Sequence, residues 1–309
     1  MEGVFSWLNQ PLFQDSFIRT WMAITTGTVL VLAVILILVL IKKRKKKKKE
    51  EPDAQEPITE KPAPLPSLEL ANLQGLGKRE EQQDAFGISR MERMEEDGLL
   101  AVLCDGMGGL AEGGMIAAET TAEMIGMFPW KDDGDVPEWV RQRSGRVYQQ
   151  FRGHGGTTLV AALLRGQSLS FWCVGDSDLF LLREDKLYAL NVRQEFKNDL
   201  VLRALEGTFP VEEAFSDPQA GALSEYIGKE DVKCDYTYLP FSLQPEDVLL
   251  LCSDGVSDTL TLKQIREAMA LSPQACCDKL EEEILALEKP NQDNYTAIVL
   301  KYHGKGEEK

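Results

Sequence analysis

The sequence predicts an α+β fold with largely antiparallel sheets and helices packed outside them, preceded by one transmembrane helix. Apolar runs of about 4 to 8 residues are typical of strands, and several of the runs here indicate strands buried on both faces. Such runs occur at residues 99–104, 158–164, 169–174, 179–182, 187–190, 248–252 and 296–300. Because the predicted strands outnumber the helices and come in adjacent runs, antiparallel pairing is favoured.

Turn and capping signals place further elements in the same part of the chain. The segment FLLREDKLYAL indicates a β-hairpin that turns near Glu184 and Asp185. Helices are expected at about residues 112–128 and 137–151. A capping box at residues 261–264 predicts the start of another helix.

The N-terminal region has the pattern of a single membrane span. Residues 21–41, WMAITTGTVLVLAVILILVLI, contain no charged residue, and about 20 helical residues cross a hydrocarbon core of about 30 Å. The run KKRKKKKK follows directly at 42–49. A cleaved signal peptide is disfavoured because its positive charges would precede a shorter apolar stretch. Since positive loops stay in the cytoplasm, we expect residues 1–20 outside the cell membrane and the chain after the span on its cytoplasmic side.

The other segments differ in composition. Residues 1–20 form a short extracytoplasmic segment, either an interfacial anchor or a disordered stub. The basic run stops transfer and can also bind anionic lipid headgroups, at about 1 kcal/mol per charge. Residues 50–67 form an acidic, proline-rich tether, 68–304 one globular domain, and 305–309 a tail.

Net charge and cysteine usage exclude several classes of protein. The chain carries a formal charge of −16 and residues 67–309 carry −19, which disfavours contact with nucleic acid. All six cysteines follow the basic run and no two have CxxC spacing, so reduced and mostly buried thiols are expected. No arginine follows a cysteine by six positions, which excludes a cysteine-based phosphatase loop.

Aspartates stand where the predicted strands begin or end. Asp105 follows the run LLAVLC, Asp176 follows FWCVG, and Asp254 follows DVLLLCS. Asp293 precedes the last strand, and Asp84 stands in REEQQDAFGI. One such aspartate is most often a turn residue. Together, these carboxylates could converge at one edge of an apolar sheet, where they cannot all remain ionised without a cation.

The ligand chemistry indicates which cation this edge would bind. Oxygen ligands with no nearby His or Cys select hard ions, Mg²⁺ or Mn²⁺, over zinc. The glycine after Asp105 permits close approach of the backbone, so that Gly106 could offer its carbonyl oxygen. The residues therefore predict a carboxylate-bridged two-metal centre.

Six short motifs in a fixed order resemble a known family. They are REEQQD (79–84), DGMGG (105–109), GGTT (155–158), GDS (175–177), SDG (253–255) and QDN (292–294). The series is similar to that of the metal-dependent serine/threonine phosphatases called protein phosphatase 2C, bacterial branch, over residues 70–302. The resemblance implies the family fold, an α-β-β-α sandwich in which two packed antiparallel sheets are flanked by helices.

The resemblance also implies a ligand set for two metal ions, Mn²⁺ or Mg²⁺. Asp105 matches the aspartate that bridges the two ions, and the carbonyl of Gly106 matches a ligand of the second ion. Asp254 and Asp293 match the carboxylates that hold the first ion. Two such ions lower the pKa of a shared water to near neutrality, so that it can attack phosphorus in line.

Three further residues match functional positions of the family. Asp84 matches the acidic residue that binds metal or its water, and Asp176 the aspartate of a third, weaker metal site. Arg79 matches the arginine that receives the substrate phosphate, which it could grip bidentately. The implied catalytic residues are Arg79, Asp84 and Asp105.

The sequence departs from the family pattern at several positions. Met107 stands where animal members carry a histidine thought to protonate the leaving group, and His154 is a lesser candidate for that role. Gln83 replaces a glutamate that helps to hold the second ion in many members. Asp178 stands where an arginine is frequent and adds a negative charge near the third site. Residues 191–244 correspond to the variable flap, and loops of this length near a site commonly set substrate choice.

The resemblance implies hydrolysis of phosphoserine and phosphothreonine on proteins at the cytoplasmic face of the membrane. The implied partners are phosphorylated proteins and a cognate Ser/Thr kinase, with anionic lipids at the basic run and no nucleic acid. Two alternatives stay open. One is a catalytically weak or inactive phosphoprotein-binding scaffold, which Gln83 and Met107 favour slightly; the other is a phosphatase for a small or lipid phosphoester.

Overall fold

Two antiparallel sheets form the centre of the computed structural model, which describes residues 66–107 and 112–305. The strands of the first sheet are, in spatial order, β1 (Pro66–Gly75), β11 (Tyr295–Lys305), β10 (Asp247–Cys252), β6 (Asp178–Arg183) and β7 (Lys186–Ala189). The strands of the second sheet are β2 (Asp84–Ile88), β3 (Leu99–Asp105), β4 (Leu159–Arg165), β5 (Ser168–Val174) and β8 (Asp235–Tyr236), with β9 (Phe241–Ser242) also on β5.

Helices cover both outer faces of this pair of sheets. Those in the described residues are α1 (Met94–Asp97), α2 (Gly113–Met127), α3 (Val136–Phe151), α4 (Phe196–Leu205), α5 (Val211–Ala214), α6 (Asp254–Ser257), α7 (Leu262–Met269) and α8 (Pro273–Ala286). Helices α2 and α3 pack on the second sheet, and α7 and α8 on the first.

The side chains of the central strands alternate between two cores, one between the sheets and one under the helices. In β3, Leu99, Ala101 and Leu103 point between the two sheets, whereas Leu100 and Val102 point toward α2 and α3. Side chains in a strand alternate between its two faces, so a strand that is apolar throughout can fill two cores. Each fully buried leucine contributes about 1.5–3 kcal/mol through the hydrophobic effect. The predicted antiparallel sheets flanked by helices are confirmed.

The predictions made from turn residues, the capping box and cysteine usage are confirmed as well. Residues Glu184 and Asp185 form the predicted hairpin turn, with φ of 49° and 65°, between paired strands β6 and β7. The capping box at the start of α7 has both of its reciprocal hydrogen bonds. All six cysteines are free, and five of them are buried.

The ends of the domain are set by the pairing of β1 with β11. Pro66 pairs with Lys305, so β1 starts two residues before the predicted domain start at 68, and β11 includes the first residue of the predicted tail. The predicted segments 1–20, 21–41 and 42–49 and nearly all of 50–67 lie outside the described residues. Within the ranges that are described, no helix is long and apolar enough to cross a membrane.

One edge of the sandwich gathers the ends of several strands. Strand β2 begins with Asp84 directly opposite Asp105, the last residue of β3. At the same edge of the other sheet, Cys252 ends β10 opposite Asp178, the first residue of β6. The loops that leave these strands therefore lie next to one another.

Candidate active site

Antiparallel pairing places two of the predicted acidic residues face to face. Asp84 and Asp105 are direct partners across β2 and β3, and the Asp84 side chain is buried. Like charges directly opposite each other destabilise a sheet. The main chain at Asp105 is fixed from the neighbouring strand, because its carbonyl oxygen accepts hydrogen bonds from Thr157 Oγ1 and from the Thr158 amide, both at 2.8 Å. This pair of carboxylates is held together despite its repulsion.

Gly106 follows Asp105 at a point where the backbone is crowded. A Cβ atom at this position would lie 2.5 Å from the carbonyl oxygen of Gly113 and 2.6 Å from that of Gln83. The amide of Gly106 donates to that same Gln83 carbonyl oxygen at 3.1 Å. Only glycine fits here without moving the start of α2, in agreement with the sequence prediction that close approach of the backbone matters at this residue.

The Asp84 carboxylate is only partly satisfied by hydrogen bonds. Ser253 Oγ donates to its Oδ2 at 2.8 Å. Its Oδ1 is buried and has no hydrogen-bond partner among the residues that the structure describes. Burial raises the pKa of Asp84 to about 6, and repulsion from Asp254 and Asp293 adds to the rise, whereas the nearby hydroxyl groups of Thr296 and Ser253 oppose it. An unpaired buried carboxylate oxygen is costly unless a cation or donor reaches it.

The other carboxylates at this edge also have raised pKa values. Burial raises the pKa of Asp105 well above its usual range, and repulsion from Asp84, Asp254 and Asp176 adds to the rise. Burial likewise raises the pKa of Asp254, and repulsion from Asp258 and Asp293 adds to the rise. Burial and repulsion from Asp254 raise the pKa of Asp176 to about 7. Such mutual influence requires the side chains to be close, so the structure brings these acids together.

Asp293 and Arg79 form an ion pair at the rim of this acidic edge. Arg79 Nη2 lies 2.6 Å from Asp293 Oδ2, and the two side chains are 48% and 39% exposed. The neighbouring Asn294 fixes the loop that carries Arg79: its Oδ1 accepts from the Gln83 amide at 2.8 Å, and its Nδ2 donates to the Leu76 carbonyl at 2.9 Å. Arg79 is therefore close to the predicted metal ligands and accessible to a substrate.

Two residues that arrange the acids were missed by reasoning from the sequence. Ser253 holds Asp84, and Asn294 ties the Arg79 loop to β11. They stand within the motifs SDG and QDN. The signal was available, but the sequence does not say which hydroxyl or amide pairs with which distant loop.

The two histidines of the chain lie in different parts of the structure. His154 is exposed in the turn after α3. His303 is on β11, where its Nδ1 lies 2.9 Å from Glu246 Oε1.

Whether the acidic edge fits a divalent cation depends on the positions and the chemistry of its side-chain oxygens. Within residues 66–107 and 112–305, no three Asp, Glu, His or Cys side chains stand in positions to hold one ion. Asp293 is paired with Arg79. The donor set is nevertheless all oxygen, is negatively charged, and includes the unpartnered Oδ1 of Asp84. Since Mg²⁺ and Mn²⁺ prefer such oxygen ligands, the chemistry of these residues fits either ion.

Comparison with known proteins identifies the class of protein. The family model described as stage II sporulation protein E (SpoIIE) matches residues 95–303, which is more than half of the chain. The chain therefore belongs to that family, within the protein phosphatase 2C class of serine/threonine phosphatases that the motifs predict.

Two relatives and one solved structure are named as serine/threonine phosphatases. The serine/threonine protein phosphatase PstP of Mycobacterium tuberculosis is 31% identical over 65% of this chain and 40% of its own length, so the chain spans about two fifths of that relative. The serine/threonine phosphatase stp of Listeria welshimeri is 27% identical over 65% of this chain and 83% of its own. The catalytic domain of PstP, solved in complex with two manganese ions, aligns with a TM-score of 0.59 and 27% identity over 76% of this chain and 97% of that domain.

Proposed function

We propose that this chain is a metal-dependent phosphatase that hydrolyses phosphoserine and phosphothreonine on proteins. The observation that carries the proposal is the convergence of Asp84, Asp105, Asp176 and Asp254 at one edge, beside Arg79. Buried clusters of carboxylates with raised pKa values are typical of functional sites. Relatives whose names describe serine/threonine phosphatases support the same reaction.

Each residue at this edge has a distinct part in the proposed reaction. Asp105, Asp254 and Asp293 would hold two Mn²⁺ or Mg²⁺ ions together with Asp84 and the Gly106 carbonyl; Asp176 would contribute to a third. Such ions supply Lewis acidity, which lowers the pKa of water and offsets phosphate charge.

Arg79 has the position needed to bind the substrate. Its guanidinium is half exposed and stands beside Asp293, so it can bind two phosphate oxygens of a phosphoprotein through a bidentate contact. If Asp293 held a cation, Arg79 would be released from its ion pair and would be available to bind phosphate. Without a cation, the same acidic edge repels a phosphoester.

The substrate class can be tested with the full-length chain purified in a mild detergent with saturating Mn²⁺. We expect kcat/KM to be at least about tenfold higher for a phosphothreonine peptide than for a soluble aryl phosphate or phosphatidic acid vesicles, because only the peptide can contact the flap around the site. A higher rate on phosphatidic acid would contradict the protein substrate. Binding of the phosphopeptide without phosphate release would indicate the scaffold alternative.

We further propose that residues 21–41 anchor the chain in the cell membrane as a single span, with the catalytic domain in the cytoplasm. The uncharged length of this segment and the basic run that follows support this topology. A cognate Ser/Thr kinase and membrane-bound phosphoproteins would then be natural partners. After lysis without detergent, we expect the chain to sediment with membranes and the domain to be cleaved by protease only in inside-out vesicles. Recovery of the intact chain in the supernatant would contradict the anchor.

A further inference from the structure

Arg193 lies where the flap segment (residues 191–244) leaves the first sheet. It follows β7, which ends at Ala189, and precedes α4, which starts at Phe196. Its side chain is only 20% exposed. A guanidinium this deeply buried needs several partners. Besides the nearby Glu195, its side-chain partners lie on segments that carry predicted metal ligands.

The first partner is Asp178, two residues after Asp176. Arg193 Nε lies 3.0 Å from Asp178 Oδ1, and Nη2 lies 2.6 Å from Oδ2, a bidentate contact. The Asp178 side chain is 6% exposed, so this ion pair is largely buried. The extra negative charge that the sequence places beside the third metal site is thus neutralised from the flap segment.

The second set of partners follows Asp254. Arg193 Nη1 lies 2.6 Å from Asp258 Oδ1, and Nη2 lies 2.7 Å from Ser257 Oγ. Both residues lie within four positions of Asp254, at α6 and its end. One guanidinium therefore joins three segments, namely the base of the flap segment, the loop of Asp176 and the loop of Asp254.

The residue after Arg193 extends the same attachment through the backbone. The Gln194 amide donates to the Gly175 carbonyl at 2.9 Å, and the Gly175 amide donates to Gln194 Oε1 at 2.8 Å. Gly175 directly precedes Asp176. The base of the flap segment is thus fixed to the loop that carries one of the predicted ligands.

We propose that Arg193 is a positioning residue that holds the base of the flap segment against the Asp176 and Asp254 loops and thereby sets the geometry in which these carboxylates bind metal. This inference rests on the proposed function.

The chain offers a matched control in Arg183, on the same strand as Asp178 but at its other end. Arg183 makes a bidentate contact with Asp247, and the two side chains are 19% and 1% exposed. Arg183 is therefore about as buried as Arg193 and also binds an aspartate bidentately, but it lies at the opposite end of β6 from the predicted metal ligands. Replacement by lysine in either place keeps the charge and removes the two-pronged contact.

The test measures Mn²⁺ binding by isothermal titration calorimetry on the full-length chain in mild detergent. We expect Arg193→Lys to weaken the Mn²⁺ Kd about tenfold, as is typical when a residue that orients metal ligands is changed. Arg183→Lys is expected to leave the Kd within about twofold of the wild-type value. In chelator, it should lower the Tm by about as much as Arg193→Lys does. Ser257→Ala removes one hydrogen bond of Arg193 and keeps its ion pairs. It is expected to raise the Kd about threefold and serves if Arg193→Lys does not fold.

Limited proteolysis of the metal-free chain gives a second reading. We expect Arg193→Lys to accelerate cleavage within residues 191–244, whereas Arg183→Lys does not. Wild-type Mn²⁺ affinity and wild-type flap cleavage in Arg193→Lys and Ser257→Ala would overturn the proposal. If the wild-type chain binds Mn²⁺ but hydrolyses no phosphoester, the proposed function fails, and the role of Arg193 is still decided by Mn²⁺ affinity and cleavage.

Discussion

Replacing Asp105 or Asp254 by asparagine is expected to lower kcat/KM on a phosphothreonine peptide on the order of 10³-fold, which corresponds to about 4 kcal/mol of lost transition-state stabilisation. The two carboxyl groups are buried at the acidic edge, close enough to influence each other's pKa, so either change removes a charge that metal binding needs. The same variants should no longer gain thermal stability when Mn²⁺ is added. Peptide turnover and the Mn²⁺-dependent shift in Tm measure these two effects.

In the absence of metal, we expect these variants to be at least as stable as the wild type. Asparagine at position 105 or 254 removes a source of repulsion among buried carboxylates, so the Tm in chelator is expected to match or exceed that of the wild type. Asp185→Asn, in the exposed hairpin turn, is the control and should keep turnover within about twofold. A marked loss of metal-free stability in Asp105→Asn would show that this carboxylate is structural.

Replacing Arg79 by alanine is expected to lower kcat/KM about 10²-fold, mainly through a higher KM, because a charge-assisted contact with the substrate phosphate contributes about 3 kcal/mol. Mn²⁺ affinity should stay unchanged or increase, since the substitution frees Asp293 from its ion pair. The Tm should change little, because exposed ion pairs contribute only about 0–1 kcal/mol. Steady-state kinetics and Mn²⁺ titration separate these effects.

Arg141 provides the control for Arg79. It is an arginine of similar exposure, paired with Glu138 on the surface of α3. Arg141→Ala should leave turnover within about twofold. The assignment of Arg79 to phosphate binding is contradicted if both alanine variants have the same kcat/KM.

The strands of the core could be predicted because their apolar runs leave little choice of environment. Leu99 to Cys104 fill two cores from one strand, and Leu250 with Leu251 do the same from β10. Strand β1 has no such run, because its apolar residues alternate with polar ones, and it exists through its pairing with β11. The two-residue strands β8 and β9 likewise depend on pairing with β5, which no local pattern indicates.

The acidic residues of the site could be anticipated from their position at strand ends, but their partners could not. The pairing of Asp84 with Asp105 follows from strand register, and the bond from Ser253 to Asp84 spans 169 residues. The sequence likewise shows Asp178 as an unexplained extra charge, whereas the fold supplies Arg193 to neutralise it. Such contacts depend on which loops the tertiary structure brings together.

The central claim is that the acidic edge is a divalent-metal site at which phosphoproteins are hydrolysed. Its most direct test is phosphate release from a phosphothreonine peptide by the full-length chain and by the Asp105→Asn, Asp254→Asn double variant, each with Mn²⁺ and with a strong chelator. We predict release only by the wild type with Mn²⁺, and restoration when Mn²⁺ replaces the chelator. Full activity of the double variant, or of the wild type in chelator, would contradict the account.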